Sequence, residues 1–379
     1  MERLNKLLVL LITLEIIFGG GGRLLDPFGI PPLRYILFFV ALLLTFLNAF
    51  TMRCESTNST IILMFFLFLL PVFGFTIGLV QGNSIEEVLF DVQPFLYMLI
   101  IPYFCLLKYD LKKYAVLKFL TVTKYFSVFV SVLYISYIIL LRMGTLDFNA
   151  IYSMLSFSNE FFFRPDGAFF AKSFFFIGIG AILFFCERKY FRFLLCMIAV
   201  FLTETRGVFL FAGIAVMVAS FKLNNASKNF ILVLLAVVAA IGMLTIVGGR
   251  GADSDSVRLN DFKFVYDSMK PFGVLFGEGF GSSIFGRGRI EVVPLEIFYK
   301  MGIIGIILSI IPFVKIIQEN IFSEARVWKL QIACSLIFGV GVSITNPFIY
   351  TPMGIYLISI SFISLTKFMQ SDSQLDCRS

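Results

Sequence analysis

Six cations in this chain have the type and setting to hold an anion. Arg164 lies in "RPDGAFF", Arg206 in "TETRGVFL" and Arg258 in "SDSVRLND". Arg287 and Arg289 lie in the glycine-rich stretch "FGEGFGSSIFGRGRIEV", residues 276–292, and Lys172 sits in an apolar run soon after Arg164. A guanidinium stays charged at physiological pH and forks onto phosphate oxygens through paired hydrogen bonds. At the edge of apolar runs, such groups suit a phosphate or pyrophosphate presented at a membrane surface. Each also has a local alternative. Arg206 can pair with Glu204 or snorkel to the interface, Arg164 can pair with Asp166, and Arg287 and Arg289 can be solvated loop charges.

Two carboxylates could move a proton. Glu291 and Glu296 flank Pro294, where the sequence turns apolar again as "PLEIFYKMGIIG". A carboxylate at such a boundary can act as a general base; pairing with Arg289 or Lys300 is the alternative. "DSD", Asp253 to Asp255, resembles a hard-cation pair, but an N-cap for the helix that follows is the preferred reading, and no metal site is expected. "GEGFG" and "GRGR" follow no strand and sit in no βαβ unit. They read as a loop that folds tightly over a membrane surface, not as a dinucleotide cradle. The chain contains no histidine, which excludes Ser-His-Asp triads and histidine metal sites. None of its six cysteines forms a CxxC pair, so no disulfide framework is expected. Lys172, Lys124, Asp91 and Glu15 are ionisable residues inside apolar runs, where such residues are functional candidates by default.

These residues must be positioned by membrane helices. The 379 residues are 59% hydrophobic and 15% charged, with a mean hydropathy of +0.94. Continuous apolar runs argue for spanning helices and against a β-barrel, whose strands would alternate. The sequence predicts an all-α, polytopic transmembrane bundle of about 12 spans. They lie near 4–19, 34–52, 60–80, 88–107, 115–141, 169–187, 191–204, 207–221, 229–247, 294–314, 328–345 and 348–366; the seventh and eighth are short and nearly contiguous. With both termini cytoplasmic, the inner segments collect Arg3, Lys6, Lys112, Lys113, Arg188, Lys189, Lys222 and Lys315, as the positive-inside bias requires. The formal charge of +7 is explained by that bias and is no evidence for nucleic acid. The whole chain, 1–379, then forms one integral membrane domain with outer loops at 142–168 and 248–293. In the second loop, Val257, Phe262, Val265 and Met269 recur at helical spacing and predict an amphipathic helix at the membrane interface.

The order of these motifs resembles a known family. "RPDGAFF" opens a span, "TETRG" joins two spans, and a long loop holds "VRLNDFKFVYDSMKPFGVLFGEGFG" before "EVVPLEIFYKMGIIG". This is similar to the O-antigen polymerase and ligase superfamily, most clearly from Arg164 to Gly305. The resemblance implies a GT-C-like helical bundle in the bacterial inner membrane. The substrate would be an undecaprenyl-pyrophosphate-linked oligosaccharide taken from the periplasmic side, with membrane lipid around it and a chain-length regulator protein as a partner to be expected. Arg164 and Arg206 match the arginines that contact the pyrophosphate, with Arg258 a third candidate; Arg287, Arg289 and Lys172 can join them. No cofactor is implied. Ligases of the family carry a histidine where, counted back from Gly302, this chain has Glu291. That departure suits the polymerase branch. A ligase acting on lipid A core, or a flippase or exporter of lipid-linked oligosaccharide, stays as an alternative.

Overall fold

The computed structural model describes residues 1–22, 33–51, 58–158, 160–164, 166–223, 252–322 and 326–365. The span expected at 229–247 lies outside them. The described helices are α1 (Glu2–Gly19), α2 (Leu33–Thr51), α3 (Asn58–Val80), α4 (Ile85–Leu96), α5 (Ile100–Leu106), α6 (Tyr109–Arg142), α7 (Phe148–Leu155), α8 (Phe175–Cys186), α9 (Tyr190–Leu202), α10 (Arg206–Lys222), α11 (Ala252–Ser268), α12 (Pro271–Phe276), α13 (Val293–Phe322), α14 (Val327–Val342) and α15 (Pro352–Ser364). One antiparallel hairpin, β1 (Phe161–Phe163) with β2 (Phe169–Ala171), interrupts them. Among the described residues, five helical stretches are long and apolar enough to cross a membrane: Leu33–Phe50, Thr60–Val80, Ile85–Leu106, Tyr109–Arg142 and Val293–Phe322. Shorter apolar helices accompany them. The chain is a multi-pass helical membrane protein, as the hydropathy requires.

The centre of the bundle is α8. Every residue from Phe175 to Cys186 is buried, and the helix packs against α6, α9, α10 and α14. Helices in lipid associate by close packing and interhelical hydrogen bonds rather than by the hydrophobic effect. The sequence supplies both. A Cβ on Gly180 would collide with Ser127 of α6, and the Ser127 hydroxyl donates to the Phe176 carbonyl at 2.9 Å. Thr13 of α1 meets Tyr356 of α15 at 2.6 Å. At the α8 C-terminus, Glu187 pairs with Lys124 at 2.8 Å and Lys189 at 3.0 Å and accepts from Gln331 at 3.0 Å.

Three expectations are corrected. The segment 169–174 is not the start of a span: Phe169–Ala171 is strand and Lys172–Phe174 a 3-10 turn, so the helix begins at Phe175. A run of phenylalanines has no period that separates strand from helix. The last helix begins at Pro352, which fixes its first turn, and not at 348. On α11 the four apolar residues do not share one packed face: Met269 packs beside the buried Val265, and the buried face also takes in Asp261, whereas Val257 and Phe262 are exposed.

Candidate functional site

Arginines from separate elements converge at one end of the bundle. Arg206 is the first residue of α10 and follows a tight turn in which Glu204 takes φ 55°. The next residue, Gly207, is seated so closely that a Cβ would collide with Thr345 Oγ1. The carbonyl of that same Thr345 accepts from Arg258 Nη2 at 3.3 Å. Arg258 in turn holds Glu291, with Nε and Nη2 each 3.1 Å from Glu291 Oε2. Thr345 lies in the α14–α15 connection, and Val293 N–H donates to Ser343 O at 3.2 Å, which ties the start of α13 to it. Arg206 and Arg258 thus come from separate helices to one threonine, and Arg258 brings Glu291 to the same place.

The glycine-rich segment is a braced shelf. Gly277, Gly279 and Gly281 adopt φ of 80°, 79° and 85°, the left-handed region where glycine is unstrained. A Cβ on Gly279 would strike the Gly78 backbone of α3. Phe280 N–H donates to Gly74 O at 3.0 Å, and the buried Phe280 ring stacks 5.5 Å from Phe95. Asn83 Nδ2 donates to the carbonyls of Glu278 and Phe280 at 2.9 and 2.8 Å. At the far end of the segment Arg287 pairs with the buried Asp261 of α11. Arg289 donates to Phe90 O at 3.2 Å and lies 4.8 Å over the Phe90 ring.

Glu296 is one helical turn from Lys300 and contacts its ammonium at 3.1 Å, which is the pairing the sequence offered as its alternative role. Glu291 pairs with Arg258, not with Arg289. Its side chain is 51% exposed against 20% for Glu296. Of the two carboxylates, Glu291 is the accessible one.

Arg164 sits in the turn of the β1–β2 hairpin, its N–H bonded to Ala168 O at 2.7 Å. Its buried Nε has no hydrogen-bond partner among the described residues. Lys172 does not lie on a spanning helix. It lies at the opposite end of the hairpin, where its N–H donates to Glu160 O at 3.0 Å and its ammonium is 3.9 Å from Glu160 Oε1. Glu160 also accepts from Gly21 N–H at 2.6 Å. Together they close one side of an apolar cavity of about 390 Å³, bounded by Phe18, Tyr134, Tyr137 and Phe169. The backbone of α11 begins at Ala252, so Asp253 and Asp255 fall in its first turn and not before it. Among the described residues no three His, Cys, Asp or Glu side chains converge as metal ligands would.

A multi-pass helical membrane protein whose arginines come from separate helices and loops is the class that this geometry defines. Along 360 residues, 95% of its length and 94% of the relative's, the chain is 47% identical to O-antigen polymerase of Shigella flexneri. The chain belongs to the O-antigen polymerase family. No family model and no solved structure matches it.

Proposed function

We propose that the chain polymerises O-antigen repeat units by glycosyl transfer at the periplasmic face of the bacterial inner membrane. Both substrates would be undecaprenyl-pyrophosphate-linked oligosaccharides, and both termini would be cytoplasmic. The observation that carries this reading is the likeness to a protein named O-antigen polymerase across nearly the whole of both chains.

The chemistry follows from the gathered residues. A hydroxyl oxygen of the incoming repeat attacks the anomeric carbon of the growing chain. The bond from that carbon to the pyrophosphate oxygen breaks, and the electron pair leaves with the undecaprenyl pyrophosphate. The hydroxyl proton passes to a carboxylate. A single displacement inverts the anomeric centre. Glu291 is the preferred base, being accessible and held by Arg258; Glu296 is second. Arg206, Arg258 and Arg164 would stabilise the leaving pyrophosphate, with Arg289 and Arg287 on the glycine-rich shelf, so no metal is required. Lys172, beside the apolar cavity, suits the phosphate end of a prenyl chain.

Deleting the gene and separating surface lipopolysaccharide on a gel tests this. One repeat on the core with the ladder lost supports polymerase activity. Bare core with polymer stranded on the lipid carrier would mean a ligase, and repeats trapped inside the cell a flippase. Either of those outcomes ends the proposal.

A further inference from the structure

One buried ion cluster is not used by the chemistry above. Lys300 of α13 and Asp91 of α4 are 2% and 5% exposed, and Lys300 Nζ lies 2.8 Å from Asp91 Oδ1. Replacing such a group with apolar side chains of like volume commonly stabilises a protein, because desolvating the charges offsets their attraction. At the apolar end of a membrane helix the desolvation cost is larger still. Stability alone therefore does not account for the pair.

What the pair holds is the shelf. Asp91 Oδ2 accepts from Gly281 N–H at 2.7 Å, near the start of the segment. Lys300 Nζ donates to Gly288 O, near its end, and the Lys300 carbonyl accepts from Gly279 N–H at 2.9 Å. Phe90, the neighbour of Asp91, carries Arg289 on its ring and carbonyl. Two adjacent residues of α4 and one of α13 thus fix a segment whose glycines would otherwise leave it loose. The same ammonium also orients the Glu296 carboxylate.

We propose that Asp91 and Lys300 are positioning residues for the transfer reaction: together they set the place of Arg289 and so of the cationic edge that meets the leaving group. The inference rests on the polymerase reading. Electrostatic stabilisation works when its donors need not reorganise, and a displacement of about 1 Å in a catalytic group can cost about 100-fold in rate.

The test uses the full chain purified into lipid vesicles, supplied with lipid-linked repeat units extracted from cells lacking the gene. Asp91→Asn keeps the shape and leaves Lys300 paired with Glu296, so it should fold. Its turnover should fall by about tenfold or more with a much smaller change in KM. Trypsin should cut after Arg287 and Arg289 faster than in the unaltered chain. Adding Asp91→Asn to Arg289→Ala should lower turnover no further than Arg289→Ala alone. Lys300→Met is the second variant, and its double with Asp91→Asn should be no worse than the weaker single. The proposal is overturned by unaltered turnover in Asp91→Asn, by a rate that falls only in proportion to folded protein, or by additive losses with Arg289→Ala. If the unaltered chain itself extends no repeats, the polymerase reading is what has failed.

Discussion

Arg258 Nε and Nη2 both lie 3.1 Å from a single oxygen of Glu291, joining α11 to the start of α13 at a point where half of the Glu291 side chain meets the exterior. An ion pair so exposed contributes about 0–1 kcal/mol to stability. Removing its charge should therefore not unfold the protein, which makes the pair a clean place to separate structure from chemistry.

Glu291→Gln keeps a hydrogen bond to Arg258 and loses the base. Polymer formation should drop by about 100-fold or more, while the amount of protein in the membrane and its melting temperature stay as they were. A normal lipopolysaccharide ladder from this variant would remove Glu291 from the mechanism and pass the role to Glu296→Gln, measured alongside.

Arg206 opens α10 beside Thr345, with a glycine after it that admits no side chain. Arg206→Ala should abolish polymer without loss of membrane protein. Arg206→Lys should restore only a small part, since an ammonium cannot make the paired contact to a pyrophosphate that a guanidinium makes. Full activity in Arg206→Lys would show that charge alone suffices there, and full activity in Arg206→Ala would sink its assignment.

Much of this was legible in the sequence, and the reason is lipid. Backbone in a bilayer must be bonded within its own segment, so long apolar runs such as Tyr109–Arg142 and Val293–Phe322 had no choice but helix. Arg206 and Arg164 stood out because a charge between apolar runs is rare. The partners did not stand out. Asp261 looks like one acid among several on α11, and only the fold buries it under Arg287. Asp91 reads as an ion within a span, but its link to Gly281 joins residues 190 positions apart. The "GFTIG" of α3 reads as ordinary span sequence; its two glycines are the seat of Phe280. The place of Lys172 is not legible because its phenylalanine neighbours fit a helix as well as a strand.

The seat on α3 makes a stability prediction. Gly279→Ala puts a methyl group against the Gly78 backbone at a φ of 79°. Backbone strain and the collision together should cost roughly 2–4 kcal/mol. The variant should melt earlier in detergent and accumulate poorly. Gly286→Ala has a similar φ of 74° but open space around it, so it should lose clearly less. Equal melting of the two would mean that the contact with α3 is not tight.

Glu187 predicts a different kind of loss. Its side chain is 8% exposed and serves Lys124, Lys189 and Gln331. Glu187→Ala leaves those donors facing each other at the end of α8, and should cost about 3 kcal/mol with activity per folded molecule retained. Adding Lys124→Met should recover part of the melting temperature, because it removes one of the stranded charges. An additive loss in the double variant would contradict a shared cluster.

The apolar cavity gives the prediction that bears most directly on the substrate. It is walled by rings and aliphatic side chains, with Lys172 and Glu160 on its rim, and its volume of about 390 Å³ suits a stretch of branched hydrocarbon chain. Leu155 of α7 lines it and is only partly buried, so an indole there can fill the space without breaking the core. Leu155→Trp should raise the KM for repeats carried on the full-length prenyl chain by about tenfold, the loss of roughly two buried methylenes, and leave kcat near normal. Repeats on a short prenyl chain, which never reach the cavity, should be used equally by both forms. If the variant handles long and short carriers as the unaltered chain does, the cavity holds no part of the lipid and Lys172 loses its proposed role with it.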